Sequence, residues 1–544
     1  MLHIGILVDD LNVPVWMNNC IQALKKHADI SIDFIVLNES PKKRIIPYRK
    51  VGYRILRKTD QLLHSKNEHL FKKEQLELDV PIIRLMPKQQ GFSDSFSNDD
   101  LKLIASYKPD ILIRFGFRIL KGDILDLPKY GILSFHHGST TKRRGGPPGF
   151  WEVINREPIS TVSIQILTSE LDGGFIVDTA TIKTDITAFC KNQHKLYAAG
   201  VRLFEQVFNK ASLEGFENYF ENKKNESAIV YAYPIYVAPS NLKSIILLFK
   251  FIFRIVQRKF LNIIFKEQWQ IYYKKRSDNL REKRLYSFKK LLPTADRFWA
   301  DPFVIKKGNN FYLFFEEAFK TKKNAHISCI VFDDQGVPQN KEPIIVLEES
   351  FHLSYPNVFL YQGSYWMIPE SAESQQVILY KAVDFPFRWE KHTILLDNIY
   401  LYDPTIHFHT DGFWYLMGTV KKLKEESADM NFHIYYTDNI FSGAWTSHPK
   451  NPIYKDVRYA RPAGKLFNWN GSLIRPSQVC APIYGYAVNF NRIDLLSIIE
   501  YKETLLDQQS PHWDSNIKGT HIHNYDEGFT CTDILVKRFR WSRT

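Results

Sequence analysis

The sequence predicts two architectures in tandem: an α/β unit with an open, mostly parallel sheet, then an all-β five-bladed propeller. Two patterns carry this expectation. Through residues 1–228, short apolar runs alternate with helix-length stretches, as in a sheet layered with helices. From residue 293 to 544 short aromatic strands dominate, and an X-Pro pair recurs at Asp301-Pro302, Tyr355-Pro356, Asp403-Pro404 and Arg461-Pro462. The four prolines lie 54, 48 and 58 residues apart. A period of about fifty with several strands per unit indicates propeller blades. A fifth unit near 521–536 would be completed by a closing strand from Trp269 to Tyr273.

In the first region, residues 3–8 read as a strand, 14–25 as a helix, and 31–37, 80–84 and 111–115 as further strands. Residues 39–78 form a polar, charge-rich insertion, and 186–224 look helical. No G-x-G-x-x-G follows the first strand, which removes the usual warrant for a dinucleotide cofactor.

Residues 132–177 carry the chemistry. A short apolar run ends in His136, a basic loop rich in glycine and proline reaches Pro148, and 149–155 form a short helix. An alternating strand over 160–167 and an acidic loop with a Gly-Gly turn over 168–174 follow. A strand-loop-helix-strand unit of this size sets its strand ends side by side, so His136 and Asp172 could face each other.

That layout resembles the N10-formyltetrahydrofolate-dependent formyltransferases. His136 matches their Asn-x-His histidine, Arg144-Gly145 their Arg-Gly, and Leu171-Asp172-Gly173-Gly174 their aspartate loop. Upstream, Phe117-Arg118-Ile119-Leu120 looks like the folate-side loop. The resemblance covers roughly residues 1–185 and implies N10-formyltetrahydrofolate as co-substrate, with no metal and no covalent nucleophile. It implies that His136 stabilises an oxyanion or relays protons, and that Asp172 orients it and accepts the amine's proton through water. Phe117, Arg118, Ile119, Leu120, Leu171 and Gly173 would hold the donor, and His137 and Arg144 the acceptor. Two departures stand out: Ser134 occupies the family's asparagine position, and residues 138–141 replace its Ser-Leu-Leu-Pro run. Serine offers one shorter donor, and losing an oxyanion donor typically costs about 10²–10³ in rate.

Composition is that of a soluble globular chain, 44% hydrophobic and 24% charged. Five scattered cysteines without a C-x-x-C pair point to a reducing compartment and away from a zinc site. The N-terminal apolar run stops at Asp9-Asp10, too short for a signal peptide, so the expected location is cytoplasmic. The net charge of +13 is uneven: residues 243–290 hold fourteen Lys or Arg against three acidic residues. Charge confined to one segment makes a poor nucleic-acid footprint, and no nucleic-acid partner is expected.

Residues 229–292 read as a basic amphipathic connector. Over 242–265 the cations Lys243, Lys250, Arg254 and Arg258 fall on one helical stripe among Leu, Ile and Phe. Charges that frequent argue against a spanning helix. The pattern suits either a helix in the membrane surface, peripheral on the inner face, or an interdomain helix with one wet stripe.

The third region resembles the five-bladed propellers of arabinanase- and xylosidase-type glycosidases. It is closer still to the propeller of plant glucosamine inositolphosphorylceramide transferases, through FWADPF (298–303), SYPNVF (354–359) and WMIPES (366–371). This implies that Asp301, Glu370 and Asp403 line a central funnel and could pair as acid and base on a sugar. Arg461 stands where the glycosidases place a further acid, which favours binding a glycan over cleaving it. Taken together, the resemblances imply formyl transfer to an amino group of a nucleotide- or lipid-linked sugar in surface polysaccharide or lipopolysaccharide biosynthesis. The alternatives are a glycan-binding or glycan-processing protein whose first unit has lost or changed its donor, and methionyl-tRNA formylation.

Overall fold

The computed structural model describes residues 1–41, 50–64, 69–139, 144–170, 173–225, 235–275, 285–340, 342–422 and 426–541. It divides into two compact units, Met1–Ile255 and Val256–Thr544. The described part of the 229–292 stretch is shared between them rather than standing alone.

In the first unit, β1 (Leu2–Val8) is buried everywhere except His3, the pattern of a central strand covered on both faces. It is followed by α1 (Val15–Leu24), β2 (Ile30–Asn38), α2 (Val51–His64), β3 (Ile82–Leu85), α3 (Asn98–Ala105) and β4 (Ile111–Arg114). Then come β5 (Ile132–His136), α4 (Phe150–Asn155), β6 (Ile159–Ile166), β7 (Phe175–Lys183), α5 (Phe189–Glu214), α6 (Phe216–Lys224) and α7 (Asn241–Ile264). The sheet order is β7-β6-β5-β4-β1-β2-β3. Strands β3, β2, β1, β4 and β5 are parallel, and the β5–β6 and β6–β7 pairings are antiparallel. The winding changes direction between β1 and β4, and such a switch point leaves a crevice at the carboxyl ends of the strands. The ends of β1, β4 and β5 deliver Asp9, Arg114 and His136 to that edge. Beneath it Leu7, Phe34, Val36, Leu112 and Ile132 form one apolar cluster. The polar stretch 39–78 contains α2, whose Leu56 joins Phe150, Phe189 and Phe251 in a second cluster.

The second unit is β-rich, with five antiparallel sheets among its described residues. The first runs Arg297–Lys307, Asn310–Phe319, His326–Phe332 and Ile344–Leu347, and the second Ser354–Tyr361, Ser364–Glu370, Gln376–Asp384 and Arg388–Asp397. The third contains Tyr400–Phe408, Trp414–Lys421 and Asn431–Thr437, and the fourth Phe467–Trp469, Ser472–Val479, Ala487–Leu496 and Tyr501–Gln509. The fifth joins the two ends of the unit, since Phe265–Lys275 pairs along its whole length with Phe529–Phe539. Successive sheets share apolar layers. Ile271 and Phe529 pack with Leu313 of the first sheet, Phe314 with Met367 of the second, Leu379 with Leu416 of the third, and Phe432 with Leu496 of the fourth.

The X-Pro repeat has a backbone basis. The pairing register shifts between Ala300 and Phe303, between Ser354 and Asn357, and between Tyr402 and Thr405. Inside those shifts Asp301, Tyr355 and Asp403 adopt left-handed φ of 52°, 47° and 53°. Each is therefore a β-bulge that re-aims one side chain at the same place in its sheet, with the following proline tolerated because the ladder is already interrupted. Among the described residues no helix is long and apolar enough to cross a membrane.

Candidate functional site

In the first unit, Ser134 and His136 are two positions apart on β5 and so point to one face; both are buried. Between them Phe135 points the other way, onto Trp16, Phe115 and Phe204. Ser134 is directly paired with Arg114 across the β4–β5 ladder. The Arg114 guanidinium donates from Nε to Ser134 Oγ at 3.2 Å and from Nη1 to the Arg118 carbonyl at 2.9 Å. A cation thus stands beside the serine that replaces the family's asparagine.

The loop after β4 is held by two acids. Asp9 Oδ1 accepts from the Phe117 backbone N–H at 2.8 Å. Gly116 permits this approach, since a Cβ there would lie 2.4 Å from the Asp9 nitrogen. Fully buried Asp94 accepts from the Arg118 backbone at 2.8 Å and from its Nε at 2.9 Å. Phe117 and Leu120 are buried in the apolar cluster, and Ile119 continues a short pairing with Ser93. The side chains of Phe117, Arg118 and Leu120 are therefore committed to the protein. A donor would meet this segment through its backbone, and to that extent the loop fits the expected co-substrate.

His137, expected to contact the acceptor, is packed among aromatic rings. Its ring stacks on Tyr197 at 3.9 Å and lies edge-on to Trp16. Burial, then the neighbouring His136, pushes its pKa down to about 3, so it is a neutral member of an aromatic box. The backbone of Arg144 pairs with Ile235. Leu171 and Asp172 lie outside the described residues, and Gly173 donates its N–H to the Glu170 carbonyl at 3.3 Å.

In the second unit, the bulges gather Asp301, Glu370, Asp403 and Arg461 into one buried polar cluster with Glu316, Asp429, His521 and Asp533. Arg461 donates to Asp403 from Nε at 2.5 Å and Nη2 at 3.1 Å, and to Asp429 from Nη1 at 2.8 Å. Its Nη2 lies 3.8 Å from Glu370. Gln478 adds a 2.8 Å bond to Asp403. His521 bridges Asp301 at 3.0 Å and Asp533 at 2.8 Å. Asp533 and Asp301 outweigh burial there and lift its pKa to about 10, so the His521 bridge is an imidazolium.

Arg461 and His521 are outnumbered by the carboxyls around them. Burial, then the charge of Asp403, pushes Glu370 up to about 8. Burial also raises Asp403 to about 6 against the pull of Arg461, and burial with Asp301 raises Glu316. At neutral pH the cluster presents a protonated Glu370 beside clamped carboxylates. It can donate and accept hydrogen bonds, but Asp403 is already engaged by two Arg461 nitrogens and Gln478. The rings of Tyr484 and Tyr402 lie 4.9 and 5.5 Å from the Arg461 guanidinium.

Sequence reasoning missed Asp9, Asp94, Arg114, Glu316, Asp429, Gln478, His521 and Asp533. Arg114 had a signal, a charge closing an apolar strand; the others make contacts too distant in sequence for local pattern to show.

The chain is similar to known proteins of two kinds. Residues 290–527 match the family described as "Glucosamine inositolphosphorylceramide transferase 1, N-terminal". The glucosamine inositolphosphorylceramide transferase 1 of Arabidopsis thaliana is 35% identical over 235 residues, 42% of this chain and 30% of its own length. The methionyl-tRNA formyltransferase of Macrococcus caseolyticus is 28% identical over 162 residues, 28% of this chain and 51% of its own. The bifunctional polymyxin resistance protein ArnA of Wigglesworthia glossinidia brevipalpis is 30% identical over 199 residues, 33% of this chain and 29% of its own. The chain thus spans between 29% and 51% of the length of these relatives. It combines a formyltransferase-like α/β unit at the N-terminus with a β-rich region similar to the N-terminal part of glucosamine inositolphosphorylceramide transferases.

Proposed function

We propose that the first unit transfers a formyl group from N10-formyltetrahydrofolate to an amino group on a sugar, and that the second unit binds the glycan part of the acceptor. The amine nitrogen attacks the formyl carbon, an oxyanion forms, and the carbon–N10 bond breaks to leave a formamide and tetrahydrofolate. The proton lost by the amine is taken up at N10. His136 and the Ser134 hydroxyl stabilise the oxyanion, Asp172 orients His136, and Arg114 holds Ser134 in place. The single observation carrying this proposal is the buried Ser134–His136 pair on one face of β5, at the switch-point edge of a formyltransferase-like sheet.

The second unit is, in this proposal, a five-bladed propeller closed by the Phe265–Lys275 strand, with the bulged side chains turned into its funnel. Support comes from the face-to-face packing of successive sheets and from the equivalent bulges at Asp301, Tyr355 and Asp403. The clamp of Arg461 on Asp403 favours holding a glycan over hydrolysing it, because a general base must be free to take a proton. The name of the Arabidopsis relative pairs glucosamine with a ceramide, which supports an amino-sugar acceptor carried on a lipid.

The test is calorimetric binding of a stable formyltetrahydrofolate analogue to the protein and to Ser134→Asn. Micromolar binding by the native protein is the expected result. Binding only by the asparagine variant would overturn the donor assignment.

A further inference from the structure

Helix α7 has two apolar faces, and only one is inside the protein. Leu247 and Phe251 are buried against Phe150, Trp151 and Phe189. On the other side Leu242, Ile246, Phe249, Phe253, Val256 and Phe260 recur at alternating spacings of four and three, which on a helix makes one continuous stripe. They are 71%, 47%, 69%, 66%, 59% and 59% exposed. An exposed apolar stripe of that length is unusual for a soluble surface and calls for an occupant.

The flanks say which one. The helix carries five cations, Lys243, Lys250, Arg254, Arg258 and Lys259, and no acidic residue. Lys250, Arg258 and Lys259 are exposed. Beside it α2, joined to α7 by the Gly52 N–H donating to Asn241 Oδ1 at 2.9 Å, exposes Arg54 and Lys58 together with Ile55 and Leu62. In the second unit Arg540 donates to the Asn262 carbonyl at 2.7 Å, and its neighbour Trp541 is 69% exposed. Aromatic and basic side chains at a helix end are what a bilayer interface accommodates.

A second copy of the same helix would match the stripe in shape but not in charge. Paired helices place oppositely charged side chains along their flanks, whereas here cations would meet cations with no acid on either strand. Anionic headgroups supply the missing charge, and acyl chains take the apolar stripe. We infer that α7 lies in the surface of a bilayer containing anionic lipid, with its Leu242–Phe260 stripe buried below the headgroups. This goes beyond the proposed chemistry and does not depend on it.

The test is co-sedimentation of the full chain with vesicles of phosphatidylcholine alone and of phosphatidylcholine mixed with phosphatidylglycerol, at low and high salt. Expected is binding at least about tenfold tighter to the anionic vesicles, weakened by salt. Phe249→Asp with Phe253→Asp, and separately Lys250→Glu with Arg258→Glu, should each abolish most of it without changing the melting temperature. The native-protein comparison needs no variant. Failure to bind anionic vesicles, or binding unchanged by either pair of substitutions, overturns the inference. So does self-association in light scattering that the Phe249→Asp, Phe253→Asp pair dissolves while vesicle binding is absent, which would make the stripe a seam between two copies.

Discussion

Arg461 grips Asp403 through two hydrogen bonds, Nε to Oδ2 at 2.5 Å and Nη2 to Oδ1 at 3.1 Å, with both side chains buried. This contact ties the third sheet's bulge to the strand-like segment that opens the fourth. It also leaves both Asp403 oxygens engaged by one guanidinium.

Arg461→Leu should therefore destabilise the second unit by about 3–5 kcal/mol, the usual loss when one partner of a buried ion pair is removed. Equilibrium urea unfolding measures it. Asp403→Asn should cost less than Arg461→Leu, since its amide keeps one acceptor for the guanidinium.

The stability of the second unit should fall as pH rises. Glu370 is raised from 4.5 to about 8, so its contribution is complete below about pH 4.5 and is lost as pH climbs towards 8. His521, raised from 6.5 to about 10, contributes fully below about 6.5 and loses its contribution towards 10. Scanning calorimetry from pH 5 to 9 (roughly the accessible window) should show a declining melting temperature, and Glu370→Gln should flatten its first half.

Glu317 has the opposite sign. His326, Ser328, Trp299 and Arg297 overcome the effect of burial and lower it to about 2. Its contribution is present above about 4.5 and lost as pH falls towards 2. Glu317→Gln should lower stability at neutral and alkaline pH by that contribution and so make the decline towards acid shallower.

On the proposed chemistry, Ser134→Ala should lower kcat for formyl transfer by about 10²–10³, the loss of one oxyanion donor. Arg114→Ala should act in the same direction through the same hydroxyl. Asp94→Ala should instead raise the KM for the donor, because it frees Arg118 and loosens the loop that Phe117 and Leu120 anchor. Steady-state kinetics separates the two effects.

Much of the first unit was legible because its signals are local. The strand expected at 31–37 is Ile30–Asn38, the helix at 14–25 is Val15–Leu24, and the alternating strand at 160–167 is Ile159–Ile166. The X-Pro repeat was legible for the same reason, as three of its four prolines mark bulges. What escaped were partners brought together by the fold: Asp94 reaches Arg118 across 24 positions and Asp533 reaches Asp301 across 232. His137, expected beside His136 as a substrate contact, packs its ring on Tyr197 and Trp16, neighbours that only the fold brings to it.

The most direct test of the central claim is transfer of a labelled formyl group from N10-formyltetrahydrofolate to nucleotide-linked and lipid-linked amino sugars, by the native protein and by His136→Ala. The account predicts a formamide product from the native protein on at least one amino sugar, and near-complete loss in the variant. A native protein that binds the donor yet forms no formamide with any amino sugar, or a His136→Ala variant as active as the native protein, would contradict it.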